Sequence, residues 1–314
     1  MRNAWIGLAV GVTLLTCLVR KAHGATRLED ERPLVATTFY PMTYFAERIG
    51  AADVRVVCPL PADADPSSWT PDADAIRLYQ KADLILLNGA GFERWTKRVS
   101  LPRASRVDTS RSFKDRWLMS PTSTTHSHGL VGTHSHVDTN GHTWLDPVLA
   151  QAQARAVLGS LSRLMPHRGP QLEERFEALS NDLARLDQQF RALGAVEEGT
   201  TLLASHPCFD YLGDRYGWPI VNVHLDPTAP LDQIELRQVE DELERSVAHT
   251  VLWKSQPTAS KVAQLRDRFG LTSIVVSTCE HSPAATDPPS KDFIETMRGN
   301  IERLRVAFPE PEKD

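Results

Sequence analysis

No block of lysine or arginine forms a stripe anywhere in the 314 residues, whose formal net charge is -5, so the chain offers nucleic acid no electrostatic footprint. The usual catalytic signatures are missing as well. There is no Gly-x-Ser-x-Gly elbow, no P-loop, no Gly-x-Gly-x-x-Gly after a strand and no His-Glu-x-x-His helix, and the chain is therefore read as a non-enzyme. A hydrolytic zinc centre with three ligands and a water stays open as the alternative, but no general base for it is recognisable. Cysteine is scarce, with 4 in the whole chain. Cys17 would leave with a cleaved signal, and the remaining Cys58, Cys208 and Cys279 allow at most one bridge plus one free thiol in an oxidising compartment.

Long hydrophobic runs are confined to the start. Arg2, the apolar run over residues 4–19 and the small-residue site Ala22-His23-Gly24 read as an export signal over residues 1–24, placing the mature protein in the periplasm or elsewhere outside the cytoplasm. The run is too short for a sound membrane span. Leu14-Leu15-Thr16-Cys17 resembles a lipoprotein box, yet Thr is a poor residue before the modified cysteine, so a lipid anchor at Cys17 is the lesser expectation.

Histidine, in contrast, is concentrated. Residues 126–147 hold five of the 11 histidines, His126, His128, His134, His136 and His142. The two His-Ser-His units sit among Gly, Ser and Thr with no apolar periodicity, which predicts a solvated loop over residues 126–136 whose neutral imidazoles suit zinc, copper or nickel. His142 differs, because it stands before Trp144-Leu145-Asp146-Pro147, where a loop turns into a helix and a side chain can be held still.

Either side of this segment the pattern is α/β. Strands are predicted at residues 34–39, 54–58 and 82–88, with helices near Tyr44 to Ile49 and over residues 74–81; the alternation implies a parallel, doubly wound sheet. A helix follows from Asp146 to about residue 164. Leu172, Phe176, Leu179, Leu183, Leu186, Phe190 and Leu193 then mark a long amphipathic helix with a Pro start and a Gly194 stop, a strut between two lobes. The second lobe repeats the logic, with strands at 201–205, 220–223, 251–253 and 273–276 and a last helix at about 291–307. The division reads as an N-terminal lobe 33–145, connecting helices 146–194 and a C-terminal lobe 198–308.

His206 directly follows a buried strand, which puts it at the carboxyl edge of a sheet, where ligands of such folds collect. Cys279, Glu280 and His281 follow the strand at 273–276 and belong to the same edge; His224 and Asp226 follow the strand at 220–223. Two fixed imidazoles begin a metal site, and zinc requires about two more groups.

Thr38-Phe39-Tyr40-Pro41, Asp65-Pro66-x-x-Trp69-x-Pro71, Ala82-Asp83-Leu84-Ile85-x-x-Asn88-Gly89, His142-x-Trp144-Leu145-Asp146-Pro147 and Ser205-His206 occur in an order that resembles the zinc/manganese-type substrate-binding proteins of ABC transporters, the cluster A-I group. The resemblance covers residues 33–304. It implies two αβ lobes with parallel sheets joined by a long rigid helix, a metal in the interlobe cleft held by three His and one acidic residue, and delivery of that metal to a membrane permease by a monomeric protein. His142 and His206 match two of those positions. Ser67 stands where the family has the His of Asp-Pro-His, and Ser277 where it has the late Asp, so Glu280, His281, His224 or the histidines at 126, 128, 134 and 136 are the candidates to replace them. Zinc is expected ahead of manganese, which prefers more carboxylate oxygen. A degenerate member acting as a metal buffer is the other alternative.

Overall fold

The computed structural model describes residues 31–120, 124–127, 133–136, 139–282 and 292–308. The export signal and Cys17 lie outside them, and no described helix is long and apolar enough to cross a membrane.

The first lobe is a four-stranded sheet of Leu34–Thr37 (β1), Arg55–Val57 (β2), Leu84–Leu87 (β3) and Arg106–Asp108 (β4), ordered β2-β1-β3-β4 with every pairing parallel. All four residues of β3 are buried because both faces are covered. Leu84 and Leu86 enter a core shared with Phe45 and Ile49 of Tyr40–Gly50 (α1). Ile85 and Leu87 enter a separate cluster with Tyr79 of Ala73–Lys81 (α2) and with Trp95. Two expectations shift here. The predicted first strand ends at Thr37, two residues early, and α1 begins at Tyr40, ahead of the expected Tyr44, with Pro41 in its first turn, where its missing N–H costs nothing. β4 was not expected, because its Arg106-Val107-Asp108 sequence carries no apolar run.

The second lobe consists of Thr200–Ala204 (β7), Asp210–Tyr216 (α5), Ile220–Asn222 (β8), Gln233–Leu243 (α6), Val247–Trp253 (β9), Ala259–Phe269 (α7), Thr272–Val275 (β10) and Phe293–Leu304 (α8). Its order β10-β9-β7-β8, again all parallel, is the first lobe's order run through the same sequence of crossovers. Between the lobes, the stretch expected as a loop contains a hairpin, Thr124–Ser127 (β5) against Thr133–His136 (β6), with His126 opposite His134 and Thr124 opposite His136. The β-branched threonines flanking each His-Ser unit favour an extended backbone, which is why the segment is not merely irregular.

Pro147–Leu164 (α3) and Gly169–Arg191 (α4) connect the lobes. Asp146 caps α3 by accepting from the N–H groups of Val148 (2.7 Å) and Leu149 (3.3 Å). At 23 residues α4 is about 34 Å long, and it packs on α3, on α1 of the first lobe and on α8 of the second. Leu172, Phe176, Leu179, Leu183, Leu186 and Phe190 form its buried stripe, and one apolar core runs through it from Val35 to Leu304. The two sheets are thus fixed to a common backbone of helices.

Phe176 is fully buried in that stripe under the Arg155 guanidinium. Phe176→Ala should cost roughly 3 to 5 kcal/mol in urea unfolding. Because the core is continuous, circular dichroism and tryptophan fluorescence should still report one coincident transition.

Candidate metal site between the lobes

Both sheets present their carboxyl ends to the cleft. β1 delivers Thr38 and Phe39, β3 delivers Asn88, β7 delivers Ser205 and His206, and β9 delivers Lys254, while Glu280 lies on the loop after β10.

A buried polar network fixes the segment that carries His142. Asn88 donates through Nδ2 to the Gly141 carbonyl (2.8 Å), and its Oδ1 accepts from Thr143 Oγ1 (3.1 Å) and Gln153 Nε2 (2.9 Å). Gly89 must be glycine, since its φ is 83° and a Cβ there would strike the Asp108 carboxylate. Glu93 is buried beneath this turn, with Oε1 accepting from Thr38 Oγ1 (2.6 Å) and from the Asn88 N–H (2.6 Å); burial raises its pKa to about 7.

Asn140 sets the orientation of His142. Its Oδ1 accepts from the backbone N–H of His142 (3.0 Å), so the atom facing His142 is the oxygen, and the same oxygen lies 2.9 Å from His142 Nδ1. Nδ1 therefore carries a proton for Asn140, which leaves Nε2 as the nitrogen that faces the cleft. Asn140 Nδ2 donates to the Pro207 carbonyl (2.8 Å) and to Asp210 (3.0 Å), so this one amide ties the first lobe's imidazole to the segment following the second lobe's.

His142 Nε2 faces Glu280 Oε1 at 3.2 Å. Two donors of one tetrahedral zinc with bonds near 2.0 Å are separated by about 3.3 Å, so this spacing already suits a shared ion. His206 stands beside them, its ring centroid 5.9 Å from that of His142, against about 5 Å for two imidazoles on one such ion. Its Nδ1 is buried and has no hydrogen-bond partner among the described residues. Burial, with the nearby positive charges of Lys254 and His142, lowers the His206 pKa to about 4. Glu280 is 7% exposed; burial works to raise its pKa, but the His142 hydrogen bond and the Lys254 charge outweigh that and hold it below the ordinary carboxylate range. Its position depends on Cys279, which adopts left-handed backbone at φ 56°, and on Trp144, whose indole donates to the Thr278 carbonyl at 2.7 Å.

Beside this trio opens a cavity of about 400 Å³ lined by Asp63, Asp65, Lys254, Ser277, Glu280 and His281. Lys254 Nζ lies 3.1 Å from Asp65 Oδ2 and 3.8 Å from Glu280 Oε2. Among the described residues no three His, Cys, Asp or Glu side chains are drawn together closely enough to clasp an ion as they stand.

The sequence-predicted residues thus separate. His142 meets Glu280, with the His206 ring 5.9 Å from that of His142, and His281 lines the neighbouring cavity. His224 does not join them: it is exposed at φ 46°, and Asp226 beside it is turned onto Thr228. His126, His134 and His136 lie on the hairpin, while His128 is outside the described residues. Ser277 lines the cavity as expected, but the carboxylate reaching His142 belongs to Glu280, three residues later. The Ser67 hydroxyl is bonded to Asp65 at 2.5 Å and does not line the cavity. Cys58, Cys208 and Cys279 are all free thiols. Asn140, Asp65 and Lys254 were not anticipated.

The depressed His206 gives a pH test. From about pH 6.5 down to about pH 4 the unfolded imidazole takes up a proton that the folded one refuses, so its contribution to stability is complete above that window and is lost as pH falls through it. Urea unfolding of the metal-free protein should show that loss, and His206→Gln should flatten it.

A family model described as zinc-uptake complex component A, periplasmic, matches residues 35–307. The high-affinity zinc uptake system protein ZnuA of Bacillus subtilis is 25% identical over 325 residues, covering 98% of this chain and 99% of the relative. Zinc-binding lipoprotein AdcA of Streptococcus pneumoniae is 23% identical over 90% of this chain, which spans 58% of that longer protein. Among solved structures, the Zn(II)-bound ZnuA-like domain of Streptococcus pneumoniae AdcA has a TM-score of 0.74 at 19% identity, covering 88% of this chain and 99% of the domain. FpvC of Pseudomonas aeruginosa, solved in complex with Mn2+, has a TM-score of 0.70 at 18% identity, covering 88% of this chain and 99% of that one. These likenesses share the two-lobed fold, and the family match runs from β1 to the end of the last helix: the chain belongs to the periplasmic zinc-uptake complex component A family.

Proposed function

We propose that this protein is an extracytoplasmic receptor that captures a divalent transition metal, zinc before manganese, between His142, His206 and Glu280 and delivers it to an ABC permease. One observation carries the reading. With Nδ1 of His142 committed to Asn140, Nε2 and the Glu280 carboxylate face each other across 3.2 Å, the separation of two ligands of one tetrahedral zinc, so an ion can take the place of the proton that joins them. The unpartnered nitrogen of His206 adds a third donor from the other lobe. Two imidazoles to one carboxylate favour zinc. Water completes the four-coordinate shell, because Ser67 is turned to Asp65.

The role is binding without turnover. Glu280, the carboxylate nearest the metal position, is taken up by His142 and Lys254 and is not free to serve as a general base. Release to a membrane partner fits the family and an exported chain.

Competition titration against a chromophoric chelator tests the site. His206→Ala should weaken zinc binding by about tenfold or more. Asn140→Ala, which removes no ligand, should weaken it by roughly tenfold to a hundredfold through loss of ring orientation. Unchanged affinity in His206→Ala would sink the assignment. Deleting residues 126–136 is expected to remove weak extra equivalents of zinc and leave the tight one, since His142, His206 and Glu280 all lie outside the deleted stretch; loss of the tight equivalent would make that stretch a source of primary ligands.

A further inference from the structure

The cavity beside Glu280 is lined by three carboxylates, Asp63, Asp65 and Glu280, and among the described residues lining it Lys254 is the only lysine or arginine. Lys254 arrives from the end of β9 and is 23% exposed, so its ammonium group sits largely out of solvent. Burial opposes its charge, but Glu280 and Asp65 outweigh that and keep it firmly protonated. The Glu280 carboxylate is shared between two neighbours. Oε1 faces His142 at 3.2 Å and Oε2 faces the Lys254 ammonium at 3.8 Å.

We propose that Lys254 is a tethered cation that neutralises Glu280 while the site is empty and is driven off by the incoming metal, so that it sets the affinity of the site. The inference rests on the metal-receptor reading above and gives Lys254 a part in it that none of the ligands plays. A divalent ion on Oε1 would stand roughly 5 Å from an ammonium on Oε2, with little water between them to screen two like charges. Without Lys254, the buried Glu280 of the empty protein would be left short of positive charge, an unfavourable state that metal binding would relieve. Lys254 also has somewhere to go. Asp65, on the first lobe's loop and 41% exposed, already holds the same ammonium at 3.1 Å, so a small swing away from Glu280 keeps one ion pair and moves the charge toward solvent. Zinc uptake is then an exchange of one cation for another on Glu280, with the displaced charge passed to the opposite lobe.

Removing the charge should therefore tighten binding, which is the reverse of what loss of a ligand or of a merely structural residue does. Zinc competition titrations of Lys254→Met and Lys254→Gln should show affinity higher by about tenfold or more, while Lys254→Arg should stay close to the parent. In thermal melts both neutral variants should unfold earlier without metal and gain more from saturating zinc than the parent does. Equal or weaker zinc binding in both neutral variants, with binding still abolished by His142→Ala, would overturn the role of Lys254 and leave the metal site standing. Zinc binding that survives His142→Ala in the Lys254→Met background, or no zinc binding by any variant, would overturn both.

Discussion

A carboxylate buried between two lobes has to be met by hydrogen-bond donors and by positive charge, and most of what surrounds Glu280 follows from that requirement. His142 faces one oxygen and Lys254 the other, the first from the first lobe and the second from the end of a second-lobe strand. The remaining geometry serves to hold these groups against one another. Trp144 is bonded to the Thr278 carbonyl, Cys279 accepts a strained backbone, and the Tyr40 N–H reaches the Glu280 carbonyl at 3.3 Å. A carboxylate free to rotate into solvent would need none of this, and would hold a metal only weakly.

The architecture was largely legible in the sequence because it depends on local pattern. Apolar runs of four or five residues alternating with amphipathic stretches specify parallel strands with helical crossovers, and the three- and four-residue steps from Leu172 to Phe190 specify α4. Where local pattern is weak, reading failed. Arg106–Asp108 forms a strand only because β3 offers it an edge, and the histidine-rich segment pairs as a hairpin through backbone bonds that its composition does not announce.

The site divides along the same line. His142, His206 and Glu280 could be singled out because each follows a strand or precedes a helix, a local fact. Asn140, Asp65 and Lys254 could not, because their importance lies in contacts across the chain: Asn140 meets residues 67 and 70 positions away, and Lys254 meets one 189 positions away. An Asn two residues before a histidine is common, and a Lys after a strand more so. The misplacement of the late acidic residue has a similar origin, since the turn made by Ser277, Thr278 and Cys279 brings a carboxylate up to His142 only at Glu280. Ser277 itself holds that turn, accepting from the Cys279 N–H at 3.2 Å while its own N–H donates to Asn300.

The unbroken core through α4 bears on how such a protein lets go of its cargo. Receptors whose lobes swing widely store the free energy of closure in the hinge, and opening the hinge discharges the ligand. Here the same leucines and phenylalanines of α4 serve both lobes, so a wide swing would pull apart packed interior. Outside that shared packing lies the rim, where the loop bearing Asp65 holds the Lys254 ammonium. In the proposed receptor, exchange of the ion then turns on a few residues at that rim, and the body of the molecule serves as a rigid handle.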